Sequence, residues 1–365
     1  MTEDGVPPAQ RHLTTPTPIG ERRYMDLLDL PKTELHLHLE GAMPQQTLLH
    51  LVHKYGGADE VPDLDALQAR FRYRDFAHFI ATWVWMGGYL REYDDFRLIA
   101  TGVARDLIAQ GVRYAELHFS PSDYERHGLR LQPLALAVRA GLDEAVRKSG
   151  VTLASRFGLI LDLGRDNGPE KGMRWLEEAA EVAAEAGILG IGLGGSEQRF
   201  PPEPYQPVYQ RAAALGLHRV AHAGEAAGPE SMWGAINALG VERIGHGTRA
   251  IEDPALLTSL ARERIPLEVC LTSNVCTGVL AALHDHPLAT YLRAGVPVTL
   301  SSDDPAMFGS DIVNEYRQAR DVLGLSGDDL IQIARTGFEV AFLSEAERSE
   351  LLAEFDQVVA GWRNS

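Results

Sequence analysis

The residues of this chain best suited to chemistry begin with the stretch Thr33-Glu34-Leu35-His36-Leu37-His38-Leu39-Glu40-Gly41-Ala42. Apolar and polar residues alternate along it, the period of a β-strand, so His36 and His38 project from the same face. Two imidazoles on one face can share a cation. Gly41 and Pro44 supply turn residues just beyond, which puts the pair at the end of its strand. Comparable endings recur far along the chain. Ala221-His222-Ala223-Gly224-Glu225, Arg243-Ile244-Gly245-His246-Gly247 and Ser301-Ser302-Asp303-Asp304-Pro305 each follow a short apolar run. One of the 13 histidines can fall at a strand end by chance, but four of them at three such ends, with paired carboxylates at another, point to a common site.

Three imidazoles and a carboxylate, without thiolates, suit Zn²⁺ and leave a coordination position for water, as in catalytic rather than structural sites. On that ground His36, His38, His222 and Asp303 are assigned as ligands. Zinc lowers the pKa of bound water toward about 7, so the nucleophile of such a site comes from solvent. Glu225 lies three residues past a ligand, on the turn leaving the strand, where it can move protons without binding metal. His246, from the neighbouring strand, either orients the attacking water or helps deprotonate it.

Those strand ends need a scaffold that gathers them. Strand-like runs at 112–119, 156–161, 188–193, 218–223, 243–247, 266–271 and 297–301 alternate with helical stretches, among them 44–55, 131–146, 170–186 and 203–215. With the first strand the count is eight, and alternating strands and helices imply a parallel sheet with crossover helices. The expected fold is an α/β protein, a closed (β/α)₈ TIM barrel with its active site at the C-terminal ends of the strands. An aromatic-rich region over 63–100 follows the first strand. In it Phe76, Phe79, Ile80 and Trp83 share one helical stripe that can roof a pocket as a lid. The residues from 311 to 364 form the last, outer helices. The barrel is expected as a single domain over 24–365, behind a flexible tail of about 23 residues that carries prolines and charges but no apolar core for a signal peptide.

Composition narrows the partners. A formal net charge of −17 argues against binding nucleic acid polymers or an anionic membrane, both of which call for basic patches. The two cysteines, Cys270 and Cys276, form neither a CxxC pair nor a disulfide ladder, which fits a reducing, cytoplasmic setting. No run approaches the roughly 20 apolar residues of a membrane span.

The segments HLHLEGA (36–42), HAGEAAGPES (222–231), RIGHGT (243–248), CLTSNVCTG (270–278) and SSDDPAMFGSDI (301–312) together resemble the adenosine deaminase family. That resemblance, over about residues 30–352, implies a zinc-dependent (β/α)₈ amidohydrolase with one zinc per chain. Its reaction converts adenosine and 2′-deoxyadenosine to inosine and 2′-deoxyinosine with release of ammonia. The cytidine-type deaminase signature of H-x-E with P-C-x-x-C is absent. Carried over, the resemblance puts zinc on His36, His38, His222 and Asp303, makes Glu225 the proton donor to purine N1, and has His246 steer the attacking oxygen. The catalytic set is then Glu225, His246 and Asp303. Asp304 is expected to hold purine N7, the backbone N–H of Gly195 to meet N3, Glu40 to contact the ribose, and His38 to touch the substrate as well as the metal. Phe79, Ile80 and Trp83 match the apolar wall of the lid. The substrate is a small purine nucleoside, and oligomeric state is not legible.

Three departures stand out. Where the family commonly reads D-L-A-G-D-E, this chain has Gly192-Leu193-Gly194-Gly195-Ser196-Glu197, so two acids near the purine are missing. Ser301-Ser302-Asp303-Asp304 replaces N-T-D-D, and Glu40 replaces a shorter Asp. They leave room for a related 6-aminopurine as substrate, adenine or a 5′-modified nucleoside such as aminodeoxyfutalosine. A silent nucleoside-binding protein would keep the ligands and lose Glu225 and His246, whereas both are present. A two-metal esterase would need a bridging lysine or acid, for which there is no clear candidate.

Overall fold

The computed structural model describes residues 26–74, 76–150 and 156–363. The tail expected over residues 1–23 lies outside the described residues. Eight strands pair in parallel in chain order: β1 (Lys32–His38), β2 (Val112–Phe119), β3 (Arg156–Gly164), β4 (Ile188–Gly194), β5 (His218–Ala223), β6 (Arg243–His246), β7 (Leu267–Val269) and β8 (Val298–Leu300). A Leu37–Asp303 bridge draws the ring together: His38 N–H donates to the Asp303 carbonyl at 2.9 Å and Asp303 N–H to the His36 carbonyl at 3.1 Å. The expected (β/α)₈ barrel is what forms.

Its strands are buried on both faces, because helices cover the outside and side chains fill the inside. The helix Leu131–Ser149 shows how the outer layer is built. Leu134, Ala135, Val138, Leu142 and Ala145 make one buried stripe, and Gly141 lets the neighbouring helix Tyr93–Ala109 approach so closely that a Cβ there would lie 2.3 Å from the Arg97 carbonyl oxygen. The barrel interior is unusually polar. Glu34 and His36 on β1, Glu116 and His118 on β2, Arg243 on β6 and Glu268 on β7 are all essentially inaccessible. Arg243 sits between Glu116 and Glu268, donating to both, so these buried charges are paired rather than stranded.

Helices Gln45–Lys54, Leu64–Arg70, Phe76–Gly87 and Tyr93–Ala109 are inserted between β1 and β2, and Ile312–Asp321, Gly327–Val340 and Glu345–Arg363 follow β8. Two local expectations change. The helix expected over 170–186 is broken into Pro169–Ala180 and Ala183–Ala186, because Val182, at φ −119° and ψ 5°, leaves the helical region. The first strand stops at His38, two residues before Glu40, which therefore lies on a turn. No helix among the described residues is long and apolar enough to cross a membrane.

Candidate active site

The HxH pair sits at the end of β1, as alternation requires, with both rings pointing into the barrel mouth. Nε2 of His222 lies 3.0 Å from Nε2 of His36 and 3.1 Å from Nε2 of His38. Oδ1 of Asp303 is 3.6 Å from Nε2 of His36 and 3.4 Å from Nε2 of His38. A tetrahedron with bonds near 2.1 Å has edges of roughly 3.4 Å, so the four atoms are spaced as ligands of one small cation. Burial holds all three imidazoles well below their usual pKa, hence neutral. His36 must carry its proton on Nδ1, because that atom meets the Glu268 carboxylate at 2.8 Å and a carboxylate only accepts. Its Nε2 lone pair therefore faces the others, and a cation at their focus would satisfy all of them. Among the described residues two other groupings are close enough to share an ion. One needs Cys270, whose thiol burial pushes far above its usual pKa, and the other needs the His36 nitrogen already engaged by Glu268.

Three of the four ligands are held in place by the chain around them. Glu268 accepts from His36 with one oxygen and from Arg243 Nε at 2.6 Å with the other, so ring and charge are fixed together. Ser273 Oγ donates to Asp303 Oδ2 at 2.6 Å, leaving Oδ1 for the ion. The buried Arg165 donates Nη2–H to the His222 carbonyl at 2.6 Å, which pins the end of β5. The Ser301-Ser302 departure also has a structural role. Ser301 Oγ accepts from the N–H groups of Leu35 and His36, and Ser302 Oγ donates to Glu34, latching the β8 end onto β1. Among the described residues only three non-glycines have left-handed backbone, and two are His246 and Asp303, at φ 62° and 64°. Such strain costs about 1–3 kcal/mol per residue and is retained where geometry matters.

Beside the quartet lies a cavity of about 360 Å³ lined by His38, His222, Glu225, His246, Asp303, Asp304, Gly195 and, on its outer wall, Phe79, Ile80 and Trp83. Such a volume falls within the range of small-molecule sites. A carboxylate clamp aims Glu225: Glu197 accepts from the backbone N–H groups of Gly224, Glu225, Ala226 and Ala227. Burial first, then the neighbouring Glu197, pushes the Glu225 carboxyl up to about 8, so it can hold a proton at neutral pH. Its Oε2 is 3.7 Å from Nε2 of His246. The Asn274 amide, whose oxygen accepts from Thr248 Oγ1, donates to Nδ1 of His246 at 3.3 Å; the neutral ring then bears its proton on Nε2, facing the cavity.

A family description read as adenosine deaminase matches residues 31–358 of this barrel. The chain belongs to the adenosine deaminase family. It is 37% identical over 363 residues to the aminodeoxyfutalosine deaminase of Streptomyces coelicolor, an alignment covering 98% of this chain and 92% of the relative. It is 39% identical over 328 residues to the adenosine deaminase of Salmonella paratyphi C, covering 89% and 97%. Among solved structures, the adenine deaminase of Arthrobacter aurescens superposes with a TM-score of 0.83 at 32% identity, over 90% of this chain and 99% of that one. These three relatives are named for three different 6-aminopurines.

In this deaminase-family chain the barrel thus brings His38, His222, Asp303, Glu225, His246, Asp304, Gly195, Phe79, Ile80 and Trp83 to one cavity, with His36 behind its lining and 3.0 Å from His222. The Phe76 side chain lies outside what is described. Asp304 is buried tightly against Gly41, where any Cβ would collide with its carboxylate, and burial together with Asp303 pushes its carboxyl well above the usual range. Glu40 is not among the cavity's lining residues; its Oε1 accepts from Ser120 N–H at 3.1 Å and Oε2 is buried without a partner. Sequence reasoning missed His118, Asp162, Glu268, Arg243 and Asn274. The alternation that exposed HLH would have flagged Glu116 and His118 in Val112-Arg113-Tyr114-Ala115-Glu116-Leu117-His118-Phe119, where both are inward polar residues on a buried strand.

Proposed function

We propose that the protein hydrolyses the 6-amino group of adenosine and 2′-deoxyadenosine, giving inosine or 2′-deoxyinosine and ammonia, with one zinc per chain on His36, His38, His222 and Asp303. The observation that carries the choice of substrate is the charge of the cavity. Asp123, Asp162, Asp166, Glu225, Asp303 and Asp304 line it, and among the described residues that line it there is no Lys or Arg. A neutral nucleoside tolerates that lining; a purine whose 5′ group ends in a carboxylate or phosphate would have no counter-ion there.

Zinc, when bound, makes a water acidic enough to supply the nucleophile near neutral pH. The protein's own groups do the rest. Glu225 donates a proton to purine N1, which withdraws electrons from C6. His246, a donor at Nε2, orients the attacking oxygen and offsets the charge it develops. Asp304, kept protonated by burial beside Asp303, can donate to purine N7, while Gly195 allows the backbone to come close to the N3 edge. Phe79, Ile80 and Trp83 exclude water from the base.

Loss of the adenosine ultraviolet band in a metal-replete sample, repeated after chelation, tests the chemistry. A panel of adenine, adenosine, 2′-deoxyadenosine and aminodeoxyfutalosine tests the substrate. The two neutral nucleosides should lead in kcat/KM; if adenine or the 5′-extended compound outruns both, the substrate reading gives way to that one.

A further inference from the structure

The wall of β2 to β4 carries a carboxylate with no role in the reaction as described. Asp162 lines the cavity at 6% exposure. Its Oδ2 is 3.4 Å from Ser120 Oγ and 3.9 Å from Nδ1 of His38, while Oδ1 has no hydrogen-bond partner. Leaving a buried acceptor unpaired costs folding free energy, so its retention points to a donor that arrives with a ligand. β4 is shaped to leave the carboxylate in place. Asp162 is in register with Gly192 and Gly164 with Gly194. A Cβ on Gly192 would lie 3.0 Å from His118 Nδ1 and 3.3 Å from Asp162 Oδ1, and one on Gly194 would lie 2.9 Å from Asp162 Oδ2. Where the family commonly has an acid, position 192 is glycine, and the carboxylate beside it comes from β3.

Its place in the barrel says which donor. Proximity to His38 sets Asp162 at the depth of the ligand quartet, where C6 must sit, rather than at the outer mouth. In a ring with strands in chain order, β3 stands across from β6 to β8, where His246 ends β6 and Asp303 lies just beyond β8. Oxygen added to one face of C6 leaves the amine directed to the other. Resting on the deaminase reading above, we propose that Asp162 is the acceptor that receives the departing amine. In the balanced step a C6–O bond forms and the C6–N bond breaks, its electron pair leaving with nitrogen. The two protons of the attacking water end on N1 and on that nitrogen, which departs as ammonia. Asp162 neither gives nor takes a proton; it accepts an N–H hydrogen bond that strengthens as the nitrogen gains positive character.

The test compares leaving groups. Adenosine loses an N–H donor, whereas 6-chloropurine riboside loses chloride, which donates nothing. Asp162→Leu is expected to lower kcat on adenosine roughly 10- to 100-fold and on the chloro compound by no more than about threefold. Asp162→Asn, which still accepts, should retain more activity than Asp162→Leu. Gly192→Ala, whose Cβ would press on both His118 Nδ1 and Asp162 Oδ1, should show the same pattern in a weaker form. Zinc content should stay near one per chain, and calorimetric affinity for purine riboside, which has no 6-substituent, should stay within about threefold. Equal losses on both substrates, loss of zinc, or weakened binding of the unsubstituted riboside would overturn the proposal, and the binding arm decides alone if the wild type does not release chloride. A wild type inert toward every 6-aminopurine overturns the deaminase reading itself; an active wild type with equal losses overturns only the role of Asp162.

Discussion

The β6–β8 wall and the β2–β4 wall face the same cavity but differ in how their polar groups are satisfied. On the first, His246 is held by Asn274, Glu268 by His36 and Arg243, and Asp303 by Ser273, while Asp304, the group expected to meet the purine, keeps an unpartnered Oδ1. On the second, His118 has no partner for either nitrogen and Asp162 none for Oδ1, and β4 contributes glycines where side chains would point inward. The contrast separates two tasks. Most groups that would hold an ion and a water in fixed positions are preorganised by protein partners, Nδ1 of His38 and of His222 excepted, at a cost met during folding. Groups that meet a changing substrate keep an unmet valence until it arrives.

The sharpest way to break this comparison is to remove a ligand. Asp303→Ala should reduce zinc content toward zero and turnover by about 10³-fold or more, read by metal analysis and the ultraviolet assay. A variant that keeps its zinc would show that the quartet is not the ion site. Next in size is Glu225→Gln, expected to keep zinc near one per chain and lose roughly 10²-fold or more in kcat. The wild-type sign follows from burial: with the carboxyl pushed up to about 8, the proton-donating form persists below that value, so kcat/KM falls as pH climbs through about 8. That alkaline limb should vanish in the Gln variant, and its persistence would assign it to another group.

A smaller effect probes the held wall from behind. Glu268→Gln leaves all four ligands in place but weakens the acceptor for His36 Nδ1–H, and should lower zinc affinity roughly 10- to 100-fold in a chelator competition. An unchanged midpoint would mean that the Glu268–Arg243 pair serves the barrel and not the ion. The smallest effect is expected at the outer wall. Ile80, 39% exposed in the free protein, loses three carbons in Ile80→Ala, which should raise KM by roughly two- to tenfold and leave kcat unchanged. A fall in kcat instead would give the Phe76–Gly87 helix a part in the chemical step.

The amino-acid sequence by itself determined the eight strands and the chemistry at their ends, because both are written in local periodicity. Alternation put His36 and His38 on one face, and short apolar runs closed by His or Asp marked β5, β6 and β8. Only the tertiary structure decided what stands behind those residues. Glu268 reaches His36 across 232 positions and Arg243 reaches Glu116 across 127, separations that no window of sequence spans. It likewise turned Glu40 toward β2, set Asp162 opposite Gly192, and gave Ser301 and Ser302 a reason in the seam between the first strand and the last. Pairing across a closed barrel is fixed by register and by the space each neighbour leaves, and both come into being only when the ring is complete.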